Sequence, residues 1–335
     1  MNSKMHTNMY AILHKLLLVI YDKNVVWYTK YYGGINMKET CDMHIHTNNS
    51  DGNLSGVELL QYAKARDLHK LSITDHDCVD FYLDEENLAM LKDFDFVTGC
   101  EFVCAYGDTP IEILGYGIDI VKAKKYLDVH GVSENRIERY RSDKTPKVFL
   151  KHGIKLDYDP KSVDFTKKCP MALEKLHEVI LQNPEAVRFL YLENPNLIKS
   201  VSAFLREGLN NPNSKIFIEP NSLYPPFEQI TSLIKSLGGL SFLAHPYQYG
   251  KNMDKVLEGV KHYVDGIECY HYTTQEQDKV DYLEQFCKSN NLMMSGGSDF
   301  HVQDTKGNDL LNKLGVPAEY FDQIKAKLAI KQSQM

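Results

Sequence analysis

The stretch Asp42-Met43-His44-Ile45-His46-Thr47, followed closely by Ser50-Asp51-Gly52, decides how the rest of this chain is interpreted. It falls at the end of an apolar run that predicts a strand over Thr40–His46. Side chains two residues apart on a strand point to the same face, so His44 and His46 would present both imidazoles together. One metal ion needs its ligands arranged in this way. The first strand therefore predicts the beginning of a metal site.

The same combination of residue types recurs where later strands are predicted to end. These strand ends are Asp75-His76-Asp77, Cys100-Glu101, His245-Pro246 and Ser298-Asp299-Phe300-His301. In a parallel α/β barrel the carboxyl ends of the strands converge on one mouth. Imidazoles and carboxylates together suit zinc, manganese or iron, and a mixed set suits two or more ions. The pattern predicts a site for several metal ions.

Short apolar runs alternate with helix-like segments from residue 39 onward. Strands are predicted over Thr40–His46, Lys70–Asp75, Phe94–Cys104, Ile111–Ile118, Gly239–His245, Gly266–Tyr270 and Leu292–Ser298. Helices are predicted over Ser55–Arg66, Asp84–Lys92, Phe227–Ser236, Met253–His262 and Thr274–Ser289. This alternation predicts a parallel α/β architecture, and about seven such units favour a barrel over an open sheet.

The alternation breaks between residues 122 and 226, where strand-like runs are scarce and Asn-Pro turns separate helix-like segments. We therefore expect an N-terminal extension (1–37), a first part of the barrel (38–121), a mostly helical insertion (122–226) and a second part of the barrel (227–335). No predicted ligand lies in the extension.

Composition limits the partners and the location of the chain. Its 335 residues are 43% hydrophobic, enough for a large core, and 38 basic against 45 acidic residues give a net charge of −7. Duplex nucleic acid requires a basic surface, so we expect no duplex DNA partner. The 7 cysteines contain no C-x-x-C pair, which favours a reducing cytoplasm. The apolar stretch Met9–Tyr21 is too short to span a bilayer, so no membrane partner is expected.

The motifs quoted above, with Ile113–Asp119 and Gly266-Ile267-Glu268, occur in the order found in the polymerase and histidinol phosphatase (PHP) domain family. The resemblance covers about Lys38 to His301 and is greatest to stand-alone phosphoesterases that carry an insertion, among them nucleotide and oligonucleotide phosphatases. It implies a distorted (β/α)₇ barrel with an inserted, mostly helical subdomain and two to three bound divalent ions.

The resemblance also implies a ligand set, position by position. The first ion would be bound by His44, His46, Glu101 and Asp299. The second would share Glu101 and add His245, and the third would use Asp51, His76 and His301. Where the family usually has a histidine at the second ion, this chain has Glu112, three residues before Gly115. A carboxylate there favours manganese or magnesium over zinc, and among Mn, Zn, Fe and Mg we expect manganese.

Two ions sharing a carboxylate would activate a water for attack on a phosphate ester, and Glu101, Asp299 and His301 are the predicted catalytic residues. Arg136, Arg139 and Arg141 begin the insertion, where similar phosphatases carry arginines, and guanidinium groups bind phosphate in pairs of hydrogen bonds. These arginines and His271 are the predicted substrate-binding residues. The remaining histidines, His177 among them, fit no ligand spacing and are expected at the surface.

The function predicted from the sequence is a metal-dependent phosphoesterase that acts on a nucleotide or a small phosphorylated metabolite. A histidinol-phosphate-type phosphatase and a short-oligonucleotide exonuclease are alternatives within this class. A C–N bond hydrolase would use a related metal barrel, but such enzymes commonly have a bridging carboxylated lysine where this chain offers Glu101. A non-catalytic metal or nucleotide sensor is the third alternative, and the nearly complete ligand set argues against it.

Overall fold

The computed structural model describes residues 39–131, 134–163, 172–219, 223–302 and 309–333. The predicted extension over residues 1–37 lies outside these ranges. The described residues from Thr40 onward belong to one compact unit. None of the helices within the described ranges is long and apolar enough to cross a membrane.

The described part of the chain contains eight strands and eleven α-helices. The strands are β1 (Cys41–Asp42), β2 (Lys70–Leu71), β3 (Asp95–Phe96), β4 (Gly99–Tyr106), β5 (Thr109–Tyr116), β6 (Leu240–Leu243), β7 (Gly266–Tyr270) and β8 (Met293–Gly296). The helices are α1 (Gly56–Ala65), α2 (Glu85–Leu91), α3 (Ile120–His130), α4 (Glu134–Lys151), α5 (Ala172–Gln182), α6 (Pro184–Glu193), α7 (Val201–Ala203), α8 (Phe227–Ser236), α9 (Met253–Val260), α10 (Gln277–Asn290) and α11 (Ala318–Ser333).

The strands lie in two sheets whose edges are joined by isolated bridges. Strands β1, β2 and β3 form a parallel sheet, and β4 to β8 form a second sheet in chain order. Parallel bridges between Ile45 and Phe300, and between His76 and Glu101, link the two sheets. The predicted mixed α/β fold of the distorted-barrel type is confirmed. The described strands do not close into a continuous cylinder.

Strand β5 corrects the expectation that all strands are parallel, because it runs antiparallel to both β4 and β6. Only Gly107 and Asp108 separate β4 from β5, and a parallel connection needs a dozen or more residues. The predicted strand over Phe94–Cys104 is also wrong, since β3 ends at Phe96 and β4 begins at Gly99. Glu101 is thus near the start of β4 instead of following a strand end.

The described residues between 122 and 226 are mostly helical and contain no strand. They hold a separate apolar cluster that includes Phe149, Leu176 and Phe204. Helix α3 differs, because its Ala123 and Leu127 pack in the cluster formed by β4, β5 and β7. The division of the chain at residue 122 stays a prediction.

Two features of the packing were not expected from the sequence. Helix α11 was not predicted. It buries Phe321 and Ile324 in the apolar cluster that also contains Met43, the residue that precedes His44. The expectation that His177 lies at the surface is wrong. Its side chain is buried, and a ring nitrogen lies 2.9 Å from the carbonyl oxygen of Leu197.

Candidate metal centre

The segment after β1 turns His44 and His46 toward the interior of the barrel mouth. Met43 and Ile45 alternate with them and are buried in two apolar clusters. The amide of His46 donates to the carbonyl oxygen of Phe300, and the amide of Asp299 donates to that of His44. These bonds join the first strand segment to the last, which brings the histidines of the first motif beside the carboxylate of the last one.

His44, His46, Glu101 and Asp299 form a cluster with a common centre. The Nε2 atom of His44 lies 3.0 Å from Glu101 Oε2 and 3.4 Å from Asp299 Oδ1. The Nε2 atom of His46 lies 3.3 Å and 3.1 Å from the same two oxygens. Ligands about 2.1 Å from one ion are separated by about 3.0–3.4 Å in octahedral or tetrahedral geometry. All four separations agree with the edges of such a coordination shell.

Strong electrostatic coupling accompanies this geometry. Burial alone would raise the pKa of the Glu101 carboxyl, but His44, His76 and His245 hold it well below its usual range. Burial is likewise overcome at Asp299, whose pKa is depressed by His44, His271 and His46. Burial would lower the pKa of His44, which the carboxylates of Glu101, Glu268 and Asp299 raise well above its ordinary value. Both carboxylates are therefore anionic, which is the form that binds a metal ion.

Glu101 also reaches a second cluster through its other oxygen. Its Oε1 atom lies 3.0 Å from Nε2 of His245, and Glu112 Oε2 lies 3.0 Å from the same nitrogen. The Nδ1 atom of His76 lies 3.2 Å from Glu101 Oε2 and 3.7 Å from Glu112 Oε1. Glu112 is near the start of β5, and because β5 is antiparallel its beginning lies at the mouth where the parallel strands end. One carboxylate is thus positioned between two groups of ligands.

Asp51, His76 and His301 meet at a third position, as the resemblance implied, and His46 adjoins them. His301 Nε2 lies 3.1 Å from Asp51 Oδ1, and the ring of His301 stacks on that of His46 with the centroids 4.1 Å apart. The Nε2 atom of His76 lies 3.8 Å from Asp51 Oδ2. The structure brings together all nine side chains predicted as metal ligands.

Unsatisfied nitrogen atoms show that this set fits divalent ions. Among the described residues, both ring nitrogens of His46 and the Nδ1 atoms of His76 and His245 are buried and make no hydrogen bond. Buried polar atoms without partners are costly. Bound ions at the shared centres would satisfy His46 Nε2 and His76 Nδ1, which lie within 3.3 Å of carboxylate oxygens.

Two buried carboxylates that are not predicted ligands support the predicted ligands or the residues next to them. Asp75 accepts hydrogen bonds from Thr47 N at 2.7 Å, Thr47 Oγ1 at 2.6 Å and Ser50 Oγ at 2.7 Å. Glu268 Oε1 lies 2.9 Å from His44 Nδ1, and its Oε2 accepts from the backbone amide of His245 at 2.8 Å. The link from Glu268 to two ligands was not expected from the sequence. Glu268 lies on the strand predicted next to the one that ends at His245, and this neighbourhood could have predicted the contact.

Backbone strain occurs at the same positions. His245 and Asp299 have φ values of 28° and 53°, in the left-handed region. Such conformations cost about 1–3 kcal/mol each in non-glycine residues and are found where the surroundings enforce them. The amide of His245 is held by Glu268, and the amide of Asp299 by the carbonyl of His44. The fold thus maintains strain at two predicted ligands.

The predicted substrate residues lie in different surroundings. His271 is buried and its Nε2 lies 3.1 Å from Asp299 Oδ2. Arg136 donates from Nη1 to the carbonyl oxygens of His130 and Gly131. Arg141 donates to Asn210 Oδ1 at 2.9 Å. Their roles in substrate binding, and that of Arg139, stay predictions.

Comparison with known proteins agrees with the site. The chain is 24% identical over 280 residues to a 3′,5′-nucleoside bisphosphate phosphatase of Chromobacterium violaceum, covering 80% of this chain and 90% of the relative. It is 26% identical over 273 residues to a 5′-3′ exoribonuclease of Haemophilus influenzae, covering 79% and 91%.

Two solved structures share the fold. One is assigned as a metal-dependent phosphoesterase from Bifidobacterium adolescentis, with a TM-score of 0.58, 19% identity and coverage of 86% of this chain and 96% of the other. The second is described as an amidohydrolase from Chromobacterium violaceum with bound sulfate, with a TM-score of 0.59, 21% identity and coverage of 87% and 96%.

The sequence profile of the PHP domain matches residues 42–283, which include all predicted ligands except Asp299 and His301. The predicted enzyme class, a metal-dependent hydrolase acting on phosphate esters, is confirmed. This chain belongs to the PHP domain family.

Proposed function

We propose that this chain hydrolyses a phosphate ester of a nucleotide or small metabolite, using two to three divalent ions. The observation that carries the proposal is Glu101, whose two oxygens face separate groups of histidine and carboxylate ligands. The names of the two curated relatives, which act on nucleoside bisphosphates and RNA, support this substrate class.

The residues of the chain would hold the ions and position the substrate. His44, His46, Glu101 and Asp299 would bind the first ion. When bound, such ions neutralise phosphoryl charge and lower the pKa of water. His271 contacts Oδ2 of Asp299, whereas His46 contacts its Oδ1, so His271 would fix the orientation of this carboxylate.

Manganese is the ion that we propose for the second position. Its neighbours Glu101 and Glu112 offer two carboxylates against His245. Oxygen-rich sites favour manganese and magnesium, whereas zinc prefers nitrogen and sulfur. Bound cations also account for how a chain of net charge −7 can bind a phosphate ester.

Other activities predict different substrates. A short-oligonucleotide exonuclease would share this metal centre, and the similarity to an exoribonuclease keeps it as the second candidate. A histidinol-phosphate-type phosphatase would accept a small non-nucleotide ester. The carboxylate of Glu101 in the shared position disfavours a C–N hydrolase, and its approach to two ligand groups disfavours a simple sensor.

A substrate panel tests the proposal. The chain is freed of metal with a chelator and then assayed with Mn²⁺, Zn²⁺ or Mg²⁺ against phosphomonoesters, nucleoside monophosphates and bisphosphates, short RNA and amides. We expect phosphate release from nucleotides or small esters, with the highest kcat/KM in Mn²⁺. Hydrolysis of amides alone, or no hydrolysis with any ion, would contradict the proposal.

A further inference from the structure

A cavity of about 610 Å³ lies between the β4–β5 hairpin and the helical insertion. Its walls include Pro110 from the hairpin, Arg141, Asn210 and Phe217 from the insertion, and Tyr224 from the segment that returns to the barrel. Sites for small organic ligands usually occupy 300–1,000 Å³ and are mostly apolar with a few polar groups. This cavity has that size, its walls combine apolar rings with the charged side chains of Asp108, Arg141 and Glu219, and none of the predicted metal ligands lines it.

The cavity adjoins the metal centre along β5. Pro110 and Glu112 are two residues apart on this strand, so their side chains share a face and are separated by about 7 Å. Tyr224 is fastened to the neighbouring strand, because the carbonyl oxygen of Pro225 accepts a 2.9 Å hydrogen bond from Ala105. The cavity thus begins one step outward from the carboxylate proposed to bind the second ion.

The charges around Tyr224 agree with this placement. Burial raises the pKa of the Tyr224 hydroxyl, which Arg141 lowers and Glu112 raises in turn. The hydroxyl is therefore close enough to feel a cation of the insertion and a carboxylate of the metal centre. A molecule that occupies the cavity would border Arg141 and lie beside the strand that carries Glu112.

The walls favour a flat, partly polar ring. Phe217 and Tyr224 offer aromatic surface, and Pro110 adds an apolar face. Arg141 donates to Asn210 at 2.9 Å, which fixes a guanidinium group in the wall beside the aromatic side chains. Aromatic side chains stack on any nucleobase. A simple sugar has no aromatic ring to stack in this way.

We propose that this cavity receives the nucleobase of the substrate while the phosphate to be cleaved lies at the metal centre. The inference rests on the proposed function and defines its substrate class as nucleotides. A nucleotide carries its phosphate and base on opposite sides of the sugar, which corresponds to the step from Glu112 to Pro110 along β5.

The test compares substrates with and without a base. The variants are Phe217→Ala, Tyr224→Ala and the conservative Tyr224→Phe, with Tyr191→Ala as the matched control on an exposed side chain of the insertion. Hydrolysis of adenosine 5′-monophosphate and of ribose 5-phosphate is measured for each, together with equilibrium binding of adenosine alone. Because stacking on one aromatic ring contributes about tenfold or more, both alanine variants should lose about tenfold in kcat/KM for the nucleotide and in adenosine affinity.

The same variants should keep ribose 5-phosphate hydrolysis within about twofold, and Tyr224→Phe and Tyr191→Ala should resemble the parent. Equal losses on both phosphates, or parental adenosine binding in both alanine variants, would overturn the inference while leaving the phosphoesterase intact. If the parent cleaves neither these two phosphates nor any other phosphate ester of the substrate panel, the proposed function fails, and adenosine binding alone still decides whether the cavity takes a base.

Discussion

Replacing Glu268 with glutamine isolates the contribution of a residue that contacts ligands of two ions without being a predicted ligand. The carboxylate is fully buried, lies 2.9 Å from His44 Nδ1 and accepts from the amide of His245 at 2.8 Å. Glutamine has the same shape but can accept with only one of its two terminal atoms. Either His44 or the amide of His245 then faces an N–H group.

Either orientation of the glutamine weakens the support of one predicted ligand. If the amide nitrogen faces His44, the imidazole must accept at Nδ1 and carry its proton on Nε2, the atom directed at Glu101. If it faces His245, two buried donors oppose each other, which costs about 1–3 kcal/mol. Partners of metal-binding histidines typically contribute 10- to 100-fold to metal affinity. We therefore expect Mn²⁺ affinity to fall about 10- to 100-fold in Glu268→Gln.

The assay titrates chelator-treated protein with Mn²⁺ in competition with a metal-binding dye. Circular dichroism and a thermal melt in chelator verify the fold. Glu86→Gln is the matched control, because Glu86 is an exposed carboxylate in the first turn of α2. Metal affinity within about twofold of the parent in a folded Glu268→Gln protein would refute the positioning role.

Two further predictions concern the substrate and the choice of metal. Arg141→Ala should lower kcat/KM about 10- to 100-fold with unchanged metal content, because a hydrogen bond to a charged group contributes about 1.5–3 kcal/mol; kinetics within twofold would show that this guanidinium does not bind the substrate. Glu112→His should shift the preferred ion toward zinc, because it exchanges an oxygen ligand for nitrogen. Competition of Mn²⁺ with Zn²⁺ measured by elemental analysis tests this shift, and an unchanged ratio would contradict a ligand role for Glu112.

Alternation along strands was enough to predict much of the site. His44 and His46 share a face because they are two residues apart, and Asp299 and His301 repeat that spacing. The structure places all four at one mouth, where His44 and His46 contact Asp299 and His301 contacts Asp51. The spacing of residues along a strand can therefore predict which side chains meet when the ligands lie at strand ends.

Tertiary context decided what the sequence could not. The two apolar runs that became β4 and β5 were predicted as separate parallel strands, and the tight turn at Gly107-Asp108 between them was not recognised. This turn makes β5 antiparallel to β4, which brings Glu112 to the mouth. The burial of His177 depends on the separate core of the insertion. Nothing in the local pattern marked Phe217 or Tyr224, since the cavity that they border forms only when the insertion meets the hairpin.

The number of bound ions and the turnover of Glu101→Gln test the central claim most directly. Elemental analysis of the protein reconstituted with Mn²⁺ should give at least about two ions per chain for the parent and for Glu86→Gln. In Glu101→Gln we expect the loss of at least one ion per chain and a fall in phosphate-ester turnover of more than about a hundredfold, since even outer partners of ligands contribute 10- to 100-fold. A folded Glu101→Gln protein with parental metal content and turnover would contradict a carboxylate shared between two ions.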